Sequence, residues 1–137
     1  MDTKEYEVVF LSELNNVKSA LKGILEFCNE IWNLSKEEEG DLKLIFSELL
    51  CNAVIHGNKH DADKRVYVHV YAKDGTLSSK ITDEGTGFDG TTISANINLL
   101  SDHGRGVRLA ASLADHINFG EFGNTVQFDK KIQSGER

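Results

Sequence analysis

Hydrophobic and polar positions repeat along this chain with two periods, and each change of period marks a new element. Residues 5–11, EYEVVFL, alternate and predict a first strand. The spacing then turns helical: Val17, Leu21, Ile24, Leu25 and Cys28 share one face, with Asn15 or Asn16 as the expected N-cap. Ser35 followed by Glu38 has the spacing of a capping box, in which each side chain takes a backbone N–H from the other residue. The box opens a longer helix whose apolar stripe runs through Leu42, Ile45, Leu49 and Ala53 and stops near Gly57.

Strand-like alternation returns in RVYVHVYA (65–72) and TLSSKIT (76–82), and the Asp74-Gly75 pair between them predicts a β-hairpin. A polar, glycine-rich stretch from Asp83 to His103 leads to a third helix over 106–114, with Val107, Leu109, Ala110 and Leu113 as its apolar positions. Two strands, 116–120 and 125–131, close the pattern around a turn at Gly123-Asn124. There is no proline, so these boundaries rest on Gly, Asn and Asp. Helices kept apart from hairpin-linked strands predict an α+β fold: a two-layer sandwich whose mixed, mostly antiparallel sheet carries helices on one face. With no repeat or linker, residues 1–137 read as one domain.

Composition narrows the function classes. Hydrophobic residues at 39% and charged residues at 27% fit a soluble globular chain better than a disordered or membrane one. A net charge of -7 argues against nucleic acid as a partner, because phosphate-backbone affinity comes from clustered Lys and Arg. The N-terminus is charged from Asp2, and no apolar run reaches membrane-spanning length; a cytoplasmic location with no membrane partner is expected. Cys28 and Cys51 fall in helical segments and read as free, packed thiols. Phe27, Trp32 and Phe46 lie within the helical apolar patterns and read as core aromatics.

Three segments carry candidate chemistry. Glu48 and Asn52 are one helical turn apart, so a carboxylate and a carboxamide border the apolar stripe together. Gly85, Gly87 and Gly90 follow Asp83 at a strand end, where glycine lets a backbone approach a ligand closely. They form a G-x-G-x-x-G pattern, but no core helix opens within it as the dinucleotide fingerprint requires. A dinucleotide-dependent oxidoreductase would rest on this segment alone. Third, Gly104-Arg105-Gly106 directly precedes a helix, where free N–H groups and the helix dipole favour an anion. His56 and His60 have the spacing of a zinc pair, yet Gly57 is expected to end the helix between them and no third ligand is suitably spaced.

Taken in order, ELLCNAVIHGN (48–58), TDEGTGFD (82–89), GRGVRLAASLAD (104–115) and GNTVQF (123–128) resemble the N, G1, G2 and final boxes of the GHKL ATPases. Within that superfamily the chain resembles the bacterial anti-sigma factor serine kinases, over roughly residues 5–131. The resemblance implies a Bergerat-type sandwich with ATP and Mg²⁺ as cofactors. It implies that Asn52 is the Mg²⁺ ligand and Glu48 the general base. Asp83 would bond the adenine amino group, with Thr125 supporting that contact. Gly85 and Gly87 would let the chain pass close to the base, while Gly104, Arg105 and Gly106 would form the lid around the phosphates. It also implies a homodimer that phosphorylates an anti-sigma-factor antagonist on serine and otherwise sequesters a sigma factor. A non-catalytic ATP-binding module acting by capture alone is the alternative. Two departures stand out. Arg108 and Ala111 occupy positions where the family usually has longer apolar residues, and 137 residues leave no room for the phosphoacceptor helix of a complete histidine kinase.

Overall fold

The computed structural model describes residues 3–85, 105–120 and 124–137. Its elements are β1 (Lys4–Leu11), α1 (Leu14–Ile31), α2 (Lys36–Asn52), a π-helical turn (Ala53–Gly57), β2 (Arg65–Lys73), β3 (Thr76–Asp83), α3 (Arg105–Leu113), β4 (His116–Phe119) and β5 (Thr125–Lys131). The five strands form one sheet in the order β1-β2-β3-β5-β4, and every described pairing is antiparallel. Period two decides which side chains enter the core. Val66, Val68, Val70 and Ala72 of β2 are buried under the helices, as are Leu77, Ser79, Ile81 and Asp83 of β3. Arg65, Tyr67 and Lys80 alternate outward. The expected α+β sandwich is thus observed.

The hairpin turns at Asp74 and Gly75, with φ of 52° and 77°, the two left-handed residues of a turn whose twist matches its strands. The capping box also forms: Glu38 N–H donates to Ser35 Oγ and Ser35 N–H to Glu38 Oε1, both at 3.1 Å. Phe46 and Phe128 meet edge to face, with centroids 5.0 Å apart, where α2 packs on the sheet. Cys28 lies in the same core, and burial pushes its thiol up to about 12, leaving it inert. Among the described residues no helix is long and apolar enough to cross a membrane.

Four expectations need correction. Helix α1 starts at Leu14 with Glu13 at the N-cap position and no side-chain cap. Asn16 instead donates from Nδ2 to the Leu11 carbonyl at 2.9 Å, closing the corner between β1 and α1. Phe27 is partly buried rather than central and stacks on Tyr6 at 5.4 Å. On α3 the inward positions are Val107 and Ala110, whereas Leu109 is 48% exposed. Arg108 also faces outward, so its place in the helix needs no apolar residue. Finally, the chain does not close at β5. The tail crosses the α1–α2 junction, with Asn33 N–H on the Gly135 carbonyl at 2.9 Å and Arg137 N–H on the Ile31 carbonyl at 2.8 Å.

Candidate functional site

Helix α2 does not stop cleanly: at Ala53 it widens into a π-helical turn, closed by Asn58 N–H on the Ala53 carbonyl at 2.8 Å. Single π turns of this kind recur at functional sites. Here the turn brings the end of α2 against the ends of β3 and β4 and the start of β5, around a small cleft. Leu49, Ile81 and Phe119 make apolar walls; Asn52, Asp83, Asn124 and Thr125 are the polar lining.

Asp83 continues the inward row of Leu77, Ser79 and Ile81, so the strand period alone drives a carboxyl under the helices, where it is 8% exposed. Burial pushes its pKa up to about 6, against the opposing pull of the Gly85 N–H bond and the Lys64 charge. The Gly85 N–H donates to Asp83 Oδ1 at 2.8 Å. Two glycines make room for this arrangement. A Cβ on Gly57 would stand 2.1 Å from Asp83 Oδ2, and one on Gly85 would stand 2.1 Å from the Gly57 carbonyl oxygen. Helix end and strand end therefore meet backbone to backbone.

Across the cleft, Asn52 Oδ1 is shielded from solvent and has no hydrogen-bond partner among the described residues. Leaving such an oxygen unpaired costs about 1–3 kcal/mol, so it is a position that favours a ligand. A neutral carboxamide oxygen is a suitable donor for Mg²⁺, which keeps most of its shell as water and phosphate oxygens. Thr125 faces Thr82 across the β3–β5 pair, their hydroxyls 3.5 Å apart, and the neighbouring Asn124 carbonyl accepts Asp83 N–H at 2.9 Å.

The remaining candidates are placed differently. Glu48 sits one turn before Asn52, half-buried, and is not among the residues lining the cleft. After burial itself, its charge is the next contribution raising the Cys51 thiol pKa. Arg105 and Gly106 open α3, while Gly87 and Gly104 lie outside the described residues. His56 lies in the π turn, and His60 follows in a left-handed conformation with φ of 59°, so the two share no helical face. Among the described residues, no group of three or more His, Cys, Asp or Glu could hold a metal. Sequence reasoning took Gly57 only as a helix stop and passed over the fully buried Asn58. Both signals were weak, because Gly-Asn after a helix reads as an ordinary loop start.

A buried carboxyl and a carboxamide oxygen unpartnered among the described residues, between the last turn of a helix and a helix-covered antiparallel sheet, mark an α+β domain with a candidate cleft at the layer edge. A profile of the histidine kinase-like ATPase domain matches residues 10–130, and the chain belongs to that family. It is similar to the anti-sigma F factor of Geobacillus sp., with 39% identity over 51 residues, 37% of this chain and 35% of that protein. The anti-sigma F factor of Shouchella clausii is 43% identical over 51 residues, with the same shares of 37% and 35%. That of Oceanobacillus iheyensis is 26% identical over 83 residues, 61% of this chain and 56% of the relative. The matched stretches therefore span between about a third and just over half of these relatives' lengths.

Proposed function

We propose that this chain binds ATP in the cleft between α2 and the β3–β5 edge and transfers the γ-phosphoryl group to a serine of a partner protein. The observation that carries this reading is the shielded Asn52 Oδ1, unpartnered among the described residues, in the same cleft as the buried Asp83 carboxyl. With its pKa at about 6, Asp83 is mostly ionised at neutral pH and accepts from an amino group such as that of adenine. Gly57 and Gly85 leave the room in which the Asp83 carboxyl is seated at the cleft. Asn52 supplies an oxygen to Mg²⁺, which neutralises phosphate charge when bound. Thr125 supports the adenine contact, and the sequence Gly104-Arg105-Gly106, whose last two residues open α3, supplies the N–H donors that favour phosphate. Glu48 takes the proton of the attacking serine hydroxyl.

The relatives' name, anti-sigma F factor, supports a sigma factor as the protein partner; with the resemblance of the four boxes, the reading extends to a cytoplasmic homodimer that phosphorylates an anti-sigma-factor antagonist and otherwise holds the sigma factor. ATP then sets which complex persists. The position of Glu48 outside the cleft lining favours a second reading, in which the domain binds ATP and captures its partner without transfer. Nucleotide titration and transfer of labelled phosphate to a serine-bearing antagonist separate the two. Asn52→Ala is expected to abolish Mg-dependent binding, and Glu48→Gln to keep binding while losing transfer. Unchanged transfer in Glu48→Gln would remove the base assignment, and absence of transfer in the unaltered protein would favour capture. Equal loss of binding in both variants would sink the division of roles.

A further inference from the structure

Asn58 directly follows the helix-ending Gly57 and is completely buried, an unusual place for a carboxamide unless each of its polar atoms is used. Its Nδ2 donates to the Arg65 carbonyl at 3.0 Å, and its Oδ1 accepts Glu84 N–H at 2.8 Å. Arg65 begins β2, and Glu84 is the residue after Asp83 at the end of β3. One side chain thus joins the start of one strand to the end of its neighbour. Through its own N–H, held by the Ala53 carbonyl at 2.8 Å, the same residue is fastened to the π turn below Asn52.

The surrounding contacts all converge on Asp83. The Glu84 carboxylate returns to Arg65 N–H, so residue 84 is held by its main chain and its side chain together. The next N–H, that of Gly85, is the one that donates to Asp83 Oδ1. The Gly57 and Gly85 backbones close over the carboxyl so tightly that neither position has room for a Cβ. Moving Glu84 would move both sides of the Asp83 seat.

From this geometry we infer that Asn58 is a positioning residue, which fixes the Asp83 carboxyl relative to Asn52 by clamping residue 84 to the end of helix α2. The inference rests on the reading of the cleft as a nucleotide site only for its consequence in binding. The clamp needs a short side chain that both donates and accepts. Alanine leaves Glu84 N–H and the Arg65 carbonyl unpaired, whereas aspartate keeps the acceptor for Glu84 N–H but exchanges the donor for a buried negative charge beside the Arg65 carbonyl.

Asn58→Ala and Asn58→Asp are compared with Ser79→Ala, which removes a different buried hydrogen bond of the same sheet, Ser79 Oγ to the His69 carbonyl at 3.1 Å. Amide exchange of Gly85 in the free protein reports the Asp83 seat directly, and ATP and GTP titrations report its use. Asn58→Ala is expected to lose about tenfold or more of the Gly85 protection and about tenfold in ATP affinity, with a narrower preference for ATP over GTP. Ser79→Ala, although destabilised, is expected to stay within about twofold of the unaltered protein in both readouts. Asn58→Asp keeps the acceptor for Glu84 N–H but turns a carboxylate oxygen on the Arg65 carbonyl, so a smaller but clear loss of Gly85 protection is expected, and this loss decides the role should Asn58→Ala not fold. Gly85 exchange and ATP affinity in Asn58→Ala equal to those of Ser79→Ala would overturn the role, as would loss of protection spread evenly over the sheet. If the unaltered protein binds neither nucleotide, the nucleotide reading fails, and Gly85 exchange alone decides the positioning role.

Discussion

The Asp83 carboxyl sits where burial raises its pKa from 3.8 to about 6 in the folded protein. Between those values the native state binds more protons than the unfolded state, so this group's contribution to stability falls as pH rises through the window. Above pH 6 the ionised carboxylate costs about 1–2 kcal/mol, once solvent screening at the open cleft is allowed for. Asp83→Asn is therefore expected to raise the Tm of the free protein at pH 8 and to give no gain near pH 4, while losing ATP affinity. A lower Tm at pH 8 would show that Gly85 N–H and the Lys64 charge outweigh burial. Asn52 carries the same kind of cost, since its shielded oxygen has no hydrogen-bond partner among the described residues, a cost the proposed ligand would remove. Asp83 was legible as a candidate because it continues the β3 alternation into a glycine-rich segment. Its seat was not, because Gly57 and Asn58 reach it from another element.

Helix α2 joins its two ends to different parts of the protein. At its start, Glu38 caps the helix and also accepts Gln133 N–H at 2.7 Å, Ser134 N–H at 3.3 Å and the Ser134 hydroxyl. Burial pushes the Glu38 pKa up, but the Ser134 hydroxyl and the three N–H donors outweigh it and hold the group at about 2. Because the folded value lies below the ordinary 4.5, the stabilisation is present above pH 4.5 and is lost as pH falls toward 2. Ser35→Ala removes a single cap and is expected to cost about 1 kcal/mol in urea unfolding at pH 7. Glu38→Ala should cost more than that at pH 7, and the gap between the variants should narrow by pH 3. An equal cost at both pH values would mean that the tail contacts contribute nothing. The capping box could be read directly, since both partners lie within one turn. The tail contacts could not, because Ser134 has no local relation to Glu38.

At the scale of the molecule, a chain of net charge -7 has to bind a polyanionic nucleotide through local donors rather than its overall field. ATP with Mg²⁺ at about 100 times its dissociation constant should stabilise the protein by about 2.7 kcal/mol, a Tm shift of several degrees for a domain of this size. NAD should give no shift, and equal shifts with ATP and NAD would contradict an adenine–phosphate site built on Asp83 and Asn52. The fold supports this division of labour. Its hydrophobic layer, with Trp32, Phe46 and Phe128 at most 1% exposed, holds the sheet and helices together, while the polar lining is confined to one edge.

By itself the sequence determined the hairpin at Asp74-Gly75, the Ser35–Glu38 box, the inward rows of β2 and β3, and the four ordered boxes that point to the family. The first three follow from backbone periods and turn chemistry that act over a few residues, and the boxes from their resemblance to the family. Only the tertiary structure decided which of two neighbours on α2 enters the cleft, because helical spacing places Glu48 and Asn52 on the same border. It likewise decided that Asn16 closes a corner instead of capping, that Leu109 turns outward, and that the tail crosses beside Trp32. Each outcome depends on close approach between segments distant in the chain, where the room left by Gly57 or Gly85 is set by the packing of whole layers.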